Sequence, residues 1–364
     1  MIYLDHSATS WPKPPQVVRA VGWALEHCAN PGRGGYEQVR RADRVVYQCR
    51  VRAGKLFGCS PDRVVFTGSC TQGLNMALHS LFAPGDPVVI SGFEHNGVTR
   101  PLYGMGAKVH IAGRRLFDPA DTLDAFEKAL REGVKGAVFT CCSNVFGYVL
   151  PYREIGALCR AYGVPFVVDG AQGAGVLPLD DLDADFLAVP GHKGLLGPQG
   201  TGMLICKGEL KPWLRGGTGS NSQSLEMPDF LPDAGEAGTL NVSGIAGLSA
   251  GMGWLEKDKG LVSREKECLH QCISGLQELG LQVFTGEGQM SCVSFVPPVD
   301  CQELADRLGR QGVALRAGLH CAPLAHESAG TLDTGTVRVS VGRTTTRENI
   351  REFMKKLRIS LKSS

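Results

Sequence analysis

Short apolar runs recur along the first part of the chain, each followed by a stretch with helical spacing. Arg63–Thr67, Pro87–Ile90, Lys108–Ile111, Ala137–Cys141, Pro165–Asp169, Phe186–Val189 and Gly202–Cys206 are too short for helices and read as strands. Between them Gln72–Phe82, a segment opening near His95 or Asn96, Ala120–Arg131 and Arg153–Tyr162 read as helices. Ahead of this series, Pro12, Pro14 and Pro15 end an N-terminal arm and open a helix near Pro15 or Gln16. Asn30–Gly35 is a loop, and Glu37–Phe57 a long charged helix. Continuously apolar strands alternating with helices predict an α/β fold, a mainly parallel sheet covered on both faces. Ligands of such sheets sit at the carboxyl ends of the strands. Thr67–Thr71, Asn144, Asp169 and Lys193 are therefore expected around one crevice.

The texture then changes. Gly216–Ser249 is rich in Gly, Ser and Thr and reads as loops leading into a helix. A long helix is predicted from Trp254 to Leu279. Ser291–Val296 is a strand, Gln302–Gln311 a helix, Val313–Arg316 a short strand, Gly335–Val341 a strand, and Thr346–Leu361 a closing helix. The expected division is a large domain over 15–250 and a small α+β domain over 251–364 joined by the arm 1–14.

Composition changes the picture mainly by exclusion. With 364 residues, 43% hydrophobic and 20% charged, the chain has the make-up of an ordinary globular protein. A net charge of +2 without a basic run gives no nucleic-acid footprint. No apolar run reaches the length of a membrane span, and the N-terminus lacks a signal-peptide pattern, so the cytoplasm is the expected location. The 13 cysteines are odd in number and contain no C-x-x-C pair, which argues against a disulfide framework. Cys268 with Cys272, and Cys141 with Cys142, lack a matching histidine pair, so no metal site is expected.

Candidate chemistry centres on Pro190–Gly202, where Lys193 stands among glycines just past an apolar strand. A desolvated lysine becomes a nucleophile, or the covalent anchor of an aldehyde cofactor. A lone loop lysine is more commonly solvated. Asp169 supplies the carboxylate that a pyridine nitrogen needs, though a capping aspartate after a strand is also common. The turn Ser69-Cys70-Thr71 puts backbone N–H groups at a positive helix end suited to phosphate. The same turn reads equally well as an N-cap. The three features together are far more specific than any one of them.

Further stretches extend this set: Tyr3-Leu-Asp-His-Ser-Ala-Thr9, Thr71-Gln-Gly-Leu-Asn75, Glu94-His95-Asn96, Ser143-Asn144, Val168-Asp-Gly-Ala-Gln172, Gly191-His-Lys193, Glu236-Ala-Gly-Thr239, Arg316-Ala-Gly-Leu-His-Cys-Ala322 and Val337-Arg338-Val-Ser340. In this order, over nearly the whole chain, they resemble the fold-type I pyridoxal-phosphate enzymes of the class V aminotransferase family. Within it the chain is similar to the group II cysteine desulfurases, which include selenocysteine lyases. The resemblance implies pyridoxal 5'-phosphate held by Lys193, which later moves the Cα proton. It implies Asp169 on the pyridine nitrogen, His95 stacked on the ring and Gln172 at the ring oxygen. Ser69, Cys70, Thr71 and His192 are implied around the phosphate, with Thr239 supplied across a homodimer. Asn144, Arg316 and Arg338 are implied at the substrate carboxylate. Cys321 is implied to take sulfur from L-cysteine as a persulfide, releasing alanine and passing the sulfur to an acceptor protein. L-selenocysteine is an open alternative substrate. A different class V reaction, or a non-catalytic scaffold, would not need Cys321.

Two positions depart from the family pattern. Pro190 stands where a phosphate-binding hydroxyl is usual, so one phosphate bond should be missing. His6 stands where Asn or Ser is common; it could touch the substrate or simply cap the arm, and the second reading is preferred. Cys321 is expected in a mobile loop, Gly318–Thr336, with His320 beside it among cationic groups that favour the thiolate.

Overall fold

A computed structural model of the chain describes residues 1–257 and 260–362. β1 (Ile2–Tyr3) and an extended arm precede α1 (Pro15–His27) and α2 (Glu37–Phe57). There follow β2 (Val64–Thr67), α3 (Cys70–Leu81), β3 (Pro87–Ser91), α4 (Asn96–Gly104), β4 (Lys108–Ala112), α5 (Pro119–Arg131), β5 (Gly136–Thr140), α6 (Tyr152–Ala161), β6 (Phe166–Asp169), β7 (Phe186–Pro190) and β8 (Gly202–Cys206). These strands make one seven-stranded sheet in the order β2-β8-β7-β6-β5-β3-β4. Every neighbouring pair is parallel except the two that involve β8. Strands β5 to β8 are buried at every position, which is why they read as unbroken apolar runs. The chain leaves β3 for β4 on one side and returns to β5 on the other. That reversal opens a crevice at the carboxyl ends of β3 and β5.

The remainder is α7 (Val242–Leu255), α8 (Leu261–Glu278), β9 (Gln282–Phe284), β10 (Cys292–Val296), α9 (Cys301–Arg310), β11 (Val313–Ala314), β12 (Arg316–Gly318), α10 (Pro323–Ser328), β13 (Thr336–Ser340) and α11 (Arg347–Lys362). A second, antiparallel sheet has the order β12-β13-β10-β9. β1 pairs in parallel with β11, so the arm returns to the C-terminal layer. Buried side chains form one cluster on each face of the large sheet. A third cluster gathers Leu4 with Leu269, Phe295, Val337 and Phe353.

Three expectations are corrected. The helix predicted from Trp254 to Leu279 is two helices; residues 258 and 259, which that prediction spans, lie outside the described residues, as do 363 and 364. α7 packs on α1 and α2, whereas α8 packs on α11, β10 and β9. One straight helix could not serve both cores, and the sequence interrupts the apolar pattern between them with Glu256-Lys257-Asp258-Lys259-Gly260. The strand predicted over Val313–Arg316 changes partner: β11 pairs with β1 and β12 with β13. The stretch Gly318–Thr336 contains α10 instead of being loop throughout. α7 approaches the large domain closely through its glycines. A Cβ on Gly251 would lie 2.4 Å from Leu195 O.

Candidate active site

The loops leaving β3, β5, β6 and β7 bring His95, Asn144, Asp169 and Lys193 to one end of the large sheet. Lys193 lies in a tight turn. Gly191 N–H donates to Thr201 O at 2.8 Å, Leu196 N–H to Lys193 O at 2.9 Å and Gly197 N–H to Gly191 O at 2.7 Å. The turn needs glycine at 194, where a Cβ would sit 2.2 Å from Ala174 O. Burial lowers the Lys193 pKa and outweighs the opposing attraction of Asp169. Among the described residues nothing hydrogen-bonds its Nζ.

Asp169 ends β6 and is 2% exposed. Its Oδ1 accepts the Ala171 N–H at 2.8 Å and the Cys70 thiol at 3.4 Å, leaving Oδ2 without a partner among the described residues. His95 caps α4: Nδ1 accepts the Gly97 N–H at 2.9 Å, so the ring proton is assigned to Nε2. Burial lowers the His95 pKa and keeps the ring neutral.

Ser69 caps α3, its Oγ accepting the Gln72 N–H at 3.1 Å, and Thr71 is exposed in the first turn. Cys70 in the same turn directs its thiol to Asp169 and to Ala188 O, so its free group toward an anion is the backbone N–H. Pro190 is the buried last residue of β7, opposite Gly202. Thr239 is exposed. In this chain it lines a cavity of about 220 Å³ with Thr67, Gly68, Gln72 and Gly202. Its loop is held by Glu236, which accepts from Arg50 at 2.5 Å and from Phe66 N–H at 2.6 Å.

The arm reaches the site along its whole length. Ser7 O accepts from Gln172 Nε2 at 3.0 Å. The carbonyl of His192 receives Ser10 N–H, Ser10 Oγ, Thr9 Oγ1 and Lys13 Nζ at 2.8–3.1 Å. His192 Nδ1 meets Thr9 Oγ1 at 3.0 Å, and burial together with Lys193 and Lys13 pushes its pKa down to about 4. The sequence reading assigned no role to Asp5, Ser10 or Lys13. Asp5 lies inside the arm motif Tyr3–Thr9, which could have flagged it, whereas Ser10 and Lys13 fall beyond that motif. His6 is corrected: it caps nothing. Its ring packs edge-on to Tyr3 at 4.9 Å, with Nε2 buried and unpartnered. It borders a cavity of about 30 Å³ shared with Ser7, Gln172, Lys193, Glu265 and Arg343.

At the other side of the crevice, Arg338 on β13 is 2% exposed. Its NH1 donates to Asn144 O at 2.8 Å and its NH2 to Asp5 Oδ1 at 2.9 Å. Arg316 on β12 donates to Asp5 Oδ2 through NH2 at 2.9 Å and Nε at 3.3 Å. Asn144 Nδ2 donates to His320 O at 2.7 Å.

Cys321 is exposed. His320 and Cys321 both take left-handed backbone angles, with φ of 49° and 57°. Such angles cost non-glycine residues energy and persist where surrounding bonds impose them. Here the bonds are Asn144 Nδ2 to His320 O and Asn96 N–H to Cys321 O at 2.7 Å. Ser328 Oγ also donates to Gly92 O at 2.9 Å. The segment expected to be mobile is thus tied to the loops after β3 and β5. His320 is corrected as well. Its ring turns inward onto Thr336, and burial, then Arg338, drives its pKa down to about 2, so it is no cation beside the thiol.

The aminotransferase class-V family model matches residues 2–353. A probable cysteine desulfurase of Methanothermobacter thermautotrophicus is 33% identical over 379 residues, spanning 96% of this chain and 92% of the relative. One of Pseudomonas aeruginosa is 33% identical over 383 residues, spanning 99% and 94%. The apo structure of a cysteine desulfurase from Thermococcus onnurineus superposes with a TM-score of 0.90 at 29% identity, covering all of this chain (100%) and 95% of its own. Both the sheet that gathers Lys193 and Asp169 and the C-terminal layer that carries Arg338 and Cys321 lie inside the matched span, and the chain belongs to the class-V aminotransferase family.

Proposed function

We propose that the protein is a pyridoxal 5'-phosphate-dependent cysteine desulfurase, converting L-cysteine to L-alanine and leaving the sulfur on Cys321 as a persulfide for an acceptor. The donor set fits the cofactor. Lys193 offers a buried amine with a lowered pKa and no competing hydrogen bond. Asp169 offers a free carboxylate oxygen, and the α3 turn offers backbone N–H groups for an anion. When bound, the cofactor supplies an electron sink for charge that develops at the substrate Cα. Lys193 holds it and moves the Cα proton. Asp169 would accept from the pyridine nitrogen, His95 would cover the ring, and Gln172 would offer the ring oxygen the amide N–H that Ser7 O does not use. Ser69, Cys70, Thr71 and His192 surround the phosphate, joined by Thr239 from a second copy.

Arg338, with Arg316 and Asn144, holds the substrate carboxylate through charge-assisted bonds. The Cys321 thiolate bonds to the substrate sulfur as the Cβ–S bond breaks; that electron pair stays on Cβ, which takes a proton and leaves as alanine. The observation that carries this reading is the Cys321 turn. The strained backbone that carries this exposed cysteine is fixed by Asn96 N–H on Cys321 O and Asn144 Nδ2 on His320 O, from the loops that also carry His95 and meet Arg338. A homodimer is part of the same reading, and exposed Val18, Leu25, Tyr47, Trp213, Leu214 and Phe230 are candidate positions for its interface. Among the described residues no helix is long and apolar enough to cross a membrane.

The test is alanine and sulfide release from L-cysteine under reductant, with L-selenocysteine as rival substrate. We expect a yellow protein whose L-cysteine turnover drops by roughly two orders of magnitude in Cys321→Ala. Full turnover in that variant would point to a class V reaction without a protein thiol.

A further inference from the structure

Arg316 and Arg338 stand directly opposite one another on β12 and β13. Like charges in that register repel, and Arg338 is buried. The relief comes from the far end of the chain. One oxygen of Asp5 takes Arg338 NH2 at 2.9 Å, and the other takes Arg316 NH2 and Nε at 2.9 and 3.3 Å. The Asp5 side chain is itself only 13% exposed, so its charge is poorly screened by solvent. A guanidinium carries five N–H donors. Arg338 commits one to Asp5 and one to Asn144 O, and its Nε is buried with no partner. It retains the donors to grip one more carboxylate. The two arginines and the aspartate sum to a single positive charge.

We propose that Asp5 is a specificity-determining residue: by neutralising one of the two facing arginines, it makes the site accept an α-amino acid with one carboxylate and refuse one with a second carboxylate on its side chain. The proposal rests on the reading that Arg338 takes the substrate carboxylate. A side-chain carboxylate would find no unpaired cation there and would be repelled by Asp5, whereas a short neutral side chain meets neither penalty.

The experiment uses the protein loaded with pyridoxal 5'-phosphate. L-Alanine and L-aspartate share one backbone and neither can be desulfurated, so binding is read from the initial spectral change, with pyruvate and oxaloacetate assayed to exclude turnover. Each is titrated while the visible absorption of the bound cofactor is followed, with the ligand-induced shift in melting temperature as a second readout. The native protein should prefer L-alanine. Asp5→Asn should narrow that preference at least tenfold, chiefly by tightening L-aspartate. Arg316→Gln steps the charge the other way and should widen the preference at least fivefold. An unchanged preference in both variants overturns the proposal; if Asp5→Asn does not fold, Arg316→Gln alone decides. Arg338→Ala separates this idea from its parent. L-Alanine binding that survives Arg338→Ala sinks the carboxylate reading itself, whatever Asp5 does.

Discussion

At Pro190 the main chain gives up both a hydroxyl and an N–H next to the implied phosphate site. Ser69 Oγ already accepts from Gln72 N–H, though its own hydrogen remains to donate. Pro190→Ser restores a donor, and one charge-assisted bond of ~1.5 kcal/mol corresponds to about tenfold tighter cofactor retention. Dialysis of the two proteins side by side checks this, and equal loss of colour would show that the site does not miss the bond. His6 supports a second prediction at this scale. Burial, only partly opposed by Asp5, holds its pKa at about 4 against an ordinary 6.5. The unfolded chain therefore binds the proton more readily between these values. His6 contributes stability that is complete above pH 6.5 and is lost as pH falls toward 4. At pH 5 the loss is about 2 kcal/mol. Urea unfolding at pH 7 and pH 5 should show a pH-linked loss smaller by that amount in His6→Gln; an identical loss would mean that other groups account for all of it.

Among the elements, α7 closely approaches the loop that carries Lys193. A methyl group on Gly251 would meet Leu195 O and Gly197 N, residues that close the turn beyond Lys193. Gly251→Ala should cost about 2 kcal/mol of stability and also weaken cofactor binding, because the atoms displaced belong to that turn. Thermal melts with and without cofactor test both halves; destabilisation with unaltered cofactor affinity would confine the effect to packing. The elements also show what was legible in advance. β5 to β8 could be read because a strand buried on both faces leaves an unbroken apolar run, and Asp169 and Lys193 could be placed because such strands end at the ligand crevice. The break between α7 and α8 is marked by the charged run Glu256-Lys257-Asp258-Lys259 and Gly260, but the different partners on which the two helices pack were not legible. Nor was the inward turn of His320, since left-handed backbone at a non-glycine residue leaves no mark in composition.

On the scale of the whole molecule, the site is assembled from segments that sequence spacing cannot relate. Ser7 meets Gln172, Asn144 meets His320, and Asp5 meets both Arg316 and Arg338. The large sheet alone provides Lys193, Asp169 and His95. The Cys321 thiol and the arginines proposed to bind the substrate carboxylate arrive with the C-terminal layer, and the arm ties the two together. The pairing of β1 with β11 therefore has a consequence during synthesis. Residues 2–10 leave the ribosome more than three hundred residues ahead of their partners on β11 and β13. At roughly 5–20 residues per second the arm waits some tens of seconds without its partner strand. On the proposed function, Lys193 and Asp169 are synthesised well before Arg338 and Cys321, so the groups that would hold the cofactor precede those that would handle the substrate and its sulfur.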